Sequence, residues 1–339
     1  MTAERQIRAL YTAQTIPDLE PPYNTLHLKI YYPALYNGSL EERNSGQLPV
    51  DSSNAPYPVF IMLPGINTPP DSYAWLARHL VANNIICVTY SLIVSELGYI
   101  SLSPGLDIDA LRPANYGNKP VCLALNPIIE KLTELNQNSE LKNLFDLDNI
   151  ILGGHSGGGT AALYSANPEF HHGVKGAIAY GAHTGATTFL GWPENTVLPL
   201  KHDLPVMILG GDRDGVIAAS NFRYGGDVIP QADDSWKRLE RSFTESLRDN
   251  DNKHVLAIIN GANHSSLCHP ADTSTGRPFL DWPANNDEQN RQLIAELVTA
   301  FCQDATSKQT GSQPTNNHQV ARLLESLSAS SQLTLAKTR

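Results

Sequence analysis

The 339-residue chain is acidic, carrying 34 Asp and Glu against 24 Lys and Arg for a formal charge of −10, which argues against a nucleic-acid partner because phosphate binding needs a basic face. With 41% hydrophobic and 17% charged residues it is composed as a globular chain able to bury a large core without disulfides or a structural metal. No apolar run reaches the roughly 18 residues that a membrane-spanning helix needs.

The opening residues, MTAERQIR, lack the apolar core of a signal peptide, which points to the cytoplasm. Residues 25–32 (TLHLKIYY) alternate at period two, as a half-buried antiparallel strand does. A polar stretch at 36–57 reads as loop. The runs at 59–63 (VFIML) and 85–90 (IICVTY) are near-continuously apolar, as in central parallel strands covered on both faces. Between them, 71–83 reads as a helix with Leu76, Leu80 and Val81 on one side.

Further strands are predicted at 149–153, 174–180, 205–209 and 254–259. Helices are predicted at 121–135, 159–166, 235–247 and 287–302. This alternation defines an α/β chain built from βαβ units, a mostly parallel central sheet with helices on both faces. The main domain spans 1–303, followed at 304–339 by a polar linker and an amphipathic helix containing Val320, Leu323, Leu324 and Leu327. Residues 91–118 show no clear period, and a loop that long is read as a lid, a binding loop or hidden short helices.

Chemistry enters at Gly154-His155-Ser156-Gly157-Gly158, a G-x-S-x-G pattern between the strand NIILG and a small-residue helix start. That strand, sharp turn and helix form the setting a nucleophile elbow requires; a bare Gly-rich packing turn is the plainer alternative. A serine hydroxyl is a weak nucleophile until a positioned base takes its proton. After the strand PVMIL come Asp212 and Asp214, and after HVLAIIN comes His264, all in loops at the strand ends where open α/β sheets bind ligands. The order Ser, Asp, His makes Ser156, Asp214 and His264 the candidate catalytic set. Cys87, Cys122, Cys268 and Cys302 lack C-x-x-C spacing and read as buried thiols. His171-His172 and Cys268-His269 lack a third ligand at suitable spacing, so no metal is expected.

With these motifs the sequence resembles the α/β-hydrolase superfamily over roughly residues 25–303. Relatives commonly carry the acid as G-x-x-D, which maps onto Gly211 to Asp214; Asp212 stays the alternative, or caps its own turn. The resemblance assigns the oxyanion hole to the backbone N–H groups of Gly157 and Ile66, the latter in the loop Leu63-Pro64-Gly65-Ile66-Asn67. The run Gly-His-Ser-x-Gly-Gly with Leu-Pro-Gly is most similar to the chlorophyllase, platelet-activating-factor acetylhydrolase and cutinase-like group. Plant chlorophyllases carry Arg, and acetylhydrolases Phe, where this chain has Gly157.

What the resemblance implies is a serine hydrolase that cleaves a carboxylic ester of a bulky lipophilic molecule through an acyl-enzyme, with no cofactor. Chlorophyll is the most specific candidate, and peripheral membrane contact is the route to such a substrate. Ile93, Leu97, Tyr99 and Ile100 in the apolar 91–118 segment are the candidate substrate-binding residues. An acyltransferase using the same residues, or a ligand-binding protein on the same fold, are the competing classes.

Overall fold

The apolar runs and helical segments assemble, in a computed structural model, around one mixed β-sheet; residues 4–96, 98–249, 253–307 and 319–339 are described. In chain order the elements begin with β1 (Glu4–Thr15), β2 (Thr25–Tyr36), α1 (Leu40–Ser45), β3 (Tyr57–Leu63), α2 (Ala74–Ala82), β4 (Ile86–Glu96) and β5 (Tyr99–Leu102). There follow α3 (Leu125–Asn138), β6 (Phe145–His155), α4 (Gly157–Ser165), β7 (Val174–Tyr180), β8 (Val206–Gly211) and α5 (Gly215–Ala219). The chain closes with α6 (Asp234–Arg241), β9 (Val255–Ile259), α7 (Asp287–Thr306), α8 (Gln319–Ala329) and β10 (Leu333–Thr338). Among the described residues no helix is long and apolar enough to cross a membrane.

The strand order is β1-β2-β4-β3-β6-β7-β8-β9-β10, with β5 folded back on β4. β4, β3, β6, β7, β8 and β9 run parallel, whereas β1, β2, β5 and β10 pair antiparallel. The sheet is therefore mixed, not mostly parallel. β1 with β2 and β10 form its two margins, and β5 pairs with the extension of β4; in β1–β2 and β4–β5 the partner comes from a hairpin, not a crossover helix.

Alternation along β3 explains the two-sided core. Val59, Ile61 and Leu63 face one cluster with α3, α4 and α6, and Phe60 and Met62 face the other with α2, α7 and α8. β3 pairs with β4 on one side and β6 on the other, and the helices that follow β3 and β6 lie on opposite faces. Loops leaving adjacent strands toward opposite faces open a crevice at the carboxyl ends, the position where α/β sheets bind ligands.

Three expectations change. The 91–118 segment is not without regular structure: β4 runs on to Glu96, β5 returns beside it, Leu106 bridges to Cys122, and a short 3-10 helix forms at Asp109–Leu111. Leu92 and Val94 are buried while Ile93 between them is exposed, because the strand continues past the sheet into a hairpin, a pattern that carries no single period. The segment at 36–57 contains α1, set by a capping box between Ser39 and Glu42. The C-terminal region is not a helix alone, for β10 follows α8 and adds an antiparallel strand to β9, Ala336 opposite Ala257. Residues 308–318 of the expected linker lie outside the described residues. The four cysteines are free and buried.

Helix α8 buries Val320, Leu324 and Leu327 in the same cluster as α7, so the C-terminal segment is integral to the core. Leu324→Ala is expected to cost about 2–5 kcal/mol of unfolding free energy, the usual range for a buried leucine. A urea titration with an unchanged slope would report it; a change within about 0.5 kcal/mol would mean that α8 is only laid on the surface.

Candidate active site

Four loops at the carboxyl ends of β3, β6, β8 and β9 line one cavity of about 800 Å³, which includes Ile66, Ser156, Val216 and His264. Ser156 occupies the turn between β6 and α4 with φ 53° and ψ −122°, a backbone region that a non-glycine residue adopts only where its surroundings hold it. The holding contacts are glycines. A Cβ on Gly154 would fall 2.1 Å from the Gly158 carbonyl oxygen, and one on Gly158 would fall 2.2 Å from the Leu63 carbonyl oxygen. Backbone therefore packs on backbone across the turn. The Ser156 N–H donates to the Tyr180 carbonyl at 2.9 Å, fixing the turn to β7.

Asp214 is fully buried at the start of α5. Its Oδ1 accepts from the Ile217 N–H at 2.8 Å, and its Oδ2 lies 2.8 Å from Nδ1 of His264. The bond to Asp214 fixes the neutral ring with its proton on Nδ1 and leaves Nε2 able to accept one. Burial alone would lower the His264 pKa, but the charge and hydrogen bond of Asp214, with the charge of Asp281, raise it above the ordinary value against an opposing effect of Arg277. Gly181 makes the contact possible: it has φ 58°, and a Cβ there would come within 2.8 Å of His264 Nδ1 and 3.1 Å of Asp214 Oδ2. Asp212 points elsewhere, accepting from the Gly261 N–H at 2.8 Å and from Thr334 Oγ1 on β10 at 2.7 Å. It ties two loops together and is not a cap of its own turn.

Ile66 and Gly157 lie side by side across the crevice; a Cβ on Gly157 would be 3.2 Å from Ile66 Cγ1. Neither N–H makes a hydrogen bond among the described residues, and that of Gly157 opens helix α4, where the helix dipole favours negative charge. Of the candidate substrate residues, Tyr99 lines the cavity. Ile93 and Ile100 are exposed on the β4–β5 hairpin but do not line it, and Leu97 lies outside the described residues. Asn67 clips the root of this hairpin to the Ile66 loop, its N–H donating to the Leu102 carbonyl at 2.9 Å and its Oδ1 accepting from the Leu102 N–H at 3.1 Å.

Sequence reasoning missed the groups that join these loops. His155 is buried, with Nε2 3.0 Å from the His264 carbonyl and Nδ1 3.0 Å from Tyr73 Oη. A carbonyl only accepts, so Nε2 carries the proton and Nδ1 accepts from Tyr73, whose oxygen in turn accepts from the Gly65 N–H at 2.9 Å. Burial first, then the neighbouring His264, holds the His155 pKa well below its ordinary value, consistent with this neutral form. Asp281 was also missed. It accepts from the backbone N–H groups of His264 at 3.2 Å and Ser265 at 2.9 Å, bracing the histidine loop. The x of a G-x-S-x-G pattern carries no signal, and neither Tyr73 nor Asp281 stands in any motif.

Among the described residues, no group of three or more His, Cys, Asp or Glu side chains is placed to hold a metal ion. Neither the models of known protein families nor the curated proteins match this sequence, so the chemistry of the site is read from its own atoms.

Tyr73→Phe leaves the buried Gly65 N–H without a partner and leaves His155 Nδ1 only the Cys268 thiol at 3.7 Å, at about 1–3 kcal/mol for the unsatisfied N–H. Chemical denaturation should show a loss in that range. A variant as stable as the parent would mean that the line of hydrogen bonds contributes nothing to the fold.

Proposed function

We propose that the chain is a serine hydrolase of the α/β-hydrolase type that cleaves a carboxylic ester of a lipophilic molecule. The single observation that carries this is the fully buried Asp214 bonded to Nδ1 of His264, in the cavity lined by a serine on a strained strand-to-helix turn. A structural histidine needs no buried carboxylate behind it; a general base does, to set its tautomer and stabilise its cation. The mixed sheet with six parallel central strands, and the order of the three groups after β6, β8 and β9, support the fold assignment.

In this reading Ser156 Oγ attacks the ester carbonyl carbon while its proton passes to Nε2 of His264. The N–H groups of Ile66 and Gly157 stabilise the resulting oxyanion. Its collapse breaks the bond to the leaving oxygen, which departs as an alcohol with the proton from His264. Water then repeats the sequence on the acyl-enzyme, restoring Ser156 and releasing the acid. Asp214 stays ionised throughout and balances the transient imidazolium. Ile66, Tyr99 and Phe279 line the cavity with exposed apolar side chains, which supports a lipophilic portion in the substrate at about 0.8 kcal/mol per methylene buried.

A fluorophosphonate probe should label the protein at Ser156 and fail to label Ser156→Ala. On an ester panel, kcat/KM should rise with acyl or alcohol length, and detergent-dispersed chlorophyll tests the most specific candidate through release of chlorophyllide and phytol. Because the neutral base is the active form and the His264 pKa is raised, kcat/KM should climb with pH through an apparent pKa above the reference of about 6.5. Absence of labelling, or a pH profile that stays flat from mildly acidic to mildly alkaline conditions, would refute the reading.

The two aspartates give a sharper contrast. Asp214→Asn should lower kcat by about four orders of magnitude, because the amide favours the wrong imidazole tautomer. Asp212→Asn, which only weakens a tie between loops, should stay within about tenfold of the parent. Steady-state kinetics on folded variants decides between them, and the opposite ranking would remove Asp214 from its role.

A further inference from the structure

The wall of the cavity beside Ser156 carries two arginines that stand outside every ion pair among the described residues. Arg223 and Arg277 both line it, in a chain whose overall charge is −10. Neither guanidinium forms a salt bridge among the described residues. Arg277 Nη1 donates to Ser220 Oγ at 3.0 Å, and Arg223 lies over the Phe222 ring with its Nε buried and without any partner. The carboxylates nearby are committed. Asp214 is bonded to His264 and Ile217; Asp281 accepts from Gly215, His264 and Ser265; and Asp272 holds Ser274. Burial, then the proximity of Arg223, presses the Arg277 pKa down against the opposing effects of Tyr224 and Asp214, so the two cations repel each other in a partly desolvated wall.

Burying like charges together is costly unless something of opposite sign completes the arrangement. Guanidinium groups present planar forks that match carboxylate or phosphate oxygens, and an orphaned buried donor is a place for such an oxygen. We infer that Arg223 and Arg277 form an anion subsite beside the nucleophile, and that the natural ester carries a carboxylate or phosphate on the part of the molecule lying against them. This rests on the serine hydrolase reading and narrows it: the apolar rim takes the lipophilic portion, the arginines take the charge, and an uncharged ester such as chlorophyll satisfies only the first.

The test compares 4-nitrophenyl esters of ω-carboxyacyl and ω-phosphonoacyl groups, over a series of chain lengths, with their neutral methyl-capped counterparts. At one chain length an anionic ester should exceed its neutral partner by about tenfold or more in kcat/KM, the worth of one charge-assisted pair. Carboxylate above phosphonate, or the reverse, names the group. In Arg223→Gln/Arg277→Gln the ratio should fall to near one, and Arg277→Lys should restore part of it by keeping the charge.

A ratio near one in the parent at every length, or a ratio unchanged in the double variant, would overturn the subsite even while Ser156 is labelled and neutral esters turn over. Titration calorimetry of monomethyl glutarate and of methyl 4-phosphonobutyrate into Ser156→Ala protein reads the subsite without turnover. Binding that the double glutamine variant abolishes supports it even if the esterase reading fails, and no binding of either anion counts against it.

Discussion

The geometry around the cavity depends on one steric constraint, the contact of the β6–α4 turn with the loop that leaves β3. Gly158 lies against the Leu63 and Pro64 carbonyls, and Gly154 lies under the Gly158 carbonyl, so no side chain fits at either position. That contact goes with a turn that carries Ser156 into positive φ beside the cavity it lines. The strain at Ser156 is of order 1–3 kcal/mol and is offset by packing throughout the parallel core. The same approach of β3 and β6 sets Ile66 beside Gly157.

A second ordering acts through hydrogen bonds. The Gly65 N–H, Tyr73, the neutral ring of His155 and the His264 carbonyl form one line from the β3 loop, beneath the serine turn, to the histidine loop. Each donor in it faces one acceptor, so the tautomer of His155 is fixed and the distance between the two loops is fixed with it. Gly65 belongs to this line sterically as well, since a Cβ there would come within 2.9 Å of His155 Nδ1. Asp281 braces the histidine loop from the other side through two backbone N–H groups. The histidine loop is therefore held by backbone anchors, and the ring itself is bonded through Nδ1 to Asp214.

The central strands were legible because burial on both faces demands apolar runs, and 174–180 coincides with β7 to the residue. That Asp214 and His264 meet, beside the cavity that Ser156 also lines, was legible because each follows such a run at a strand end. β1 was not: it is an edge strand with Glu4, Arg5, Gln6 and Arg8 interleaved among few apolar residues, a composition that blunts edge pairing and also erases the signal. β10 was hidden by its length of six residues and by the polar Ser330 and Ser331 before it. The β4–β5 hairpin was hidden because Ile93, Tyr99 and Ile100 are apolar yet exposed, against the rule that apolar residues turn inward. Arg223 and Arg277 could not be paired from sequence, since helix α6 and strand β9 both lie between them along the chain; only the fold brings them to one wall.

Strand β10 has a consequence for solution behaviour. It covers β9, the uninterrupted apolar run VLAII at 255–259, which is buried along its whole length. Remove those last residues and β9 becomes the margin of the sheet, an uncharged apolar strand with a row of open N–H and C=O groups that another molecule could extend. With β10 in place the outermost strand carries Thr334, Lys337 and Thr338, and Lys337 pairs with Glu240 on α6 at 2.6 Å. Strand β10 thus keeps the apolar β9 from being an open margin, and its loss would expose that margin without touching the turn that carries Ser156.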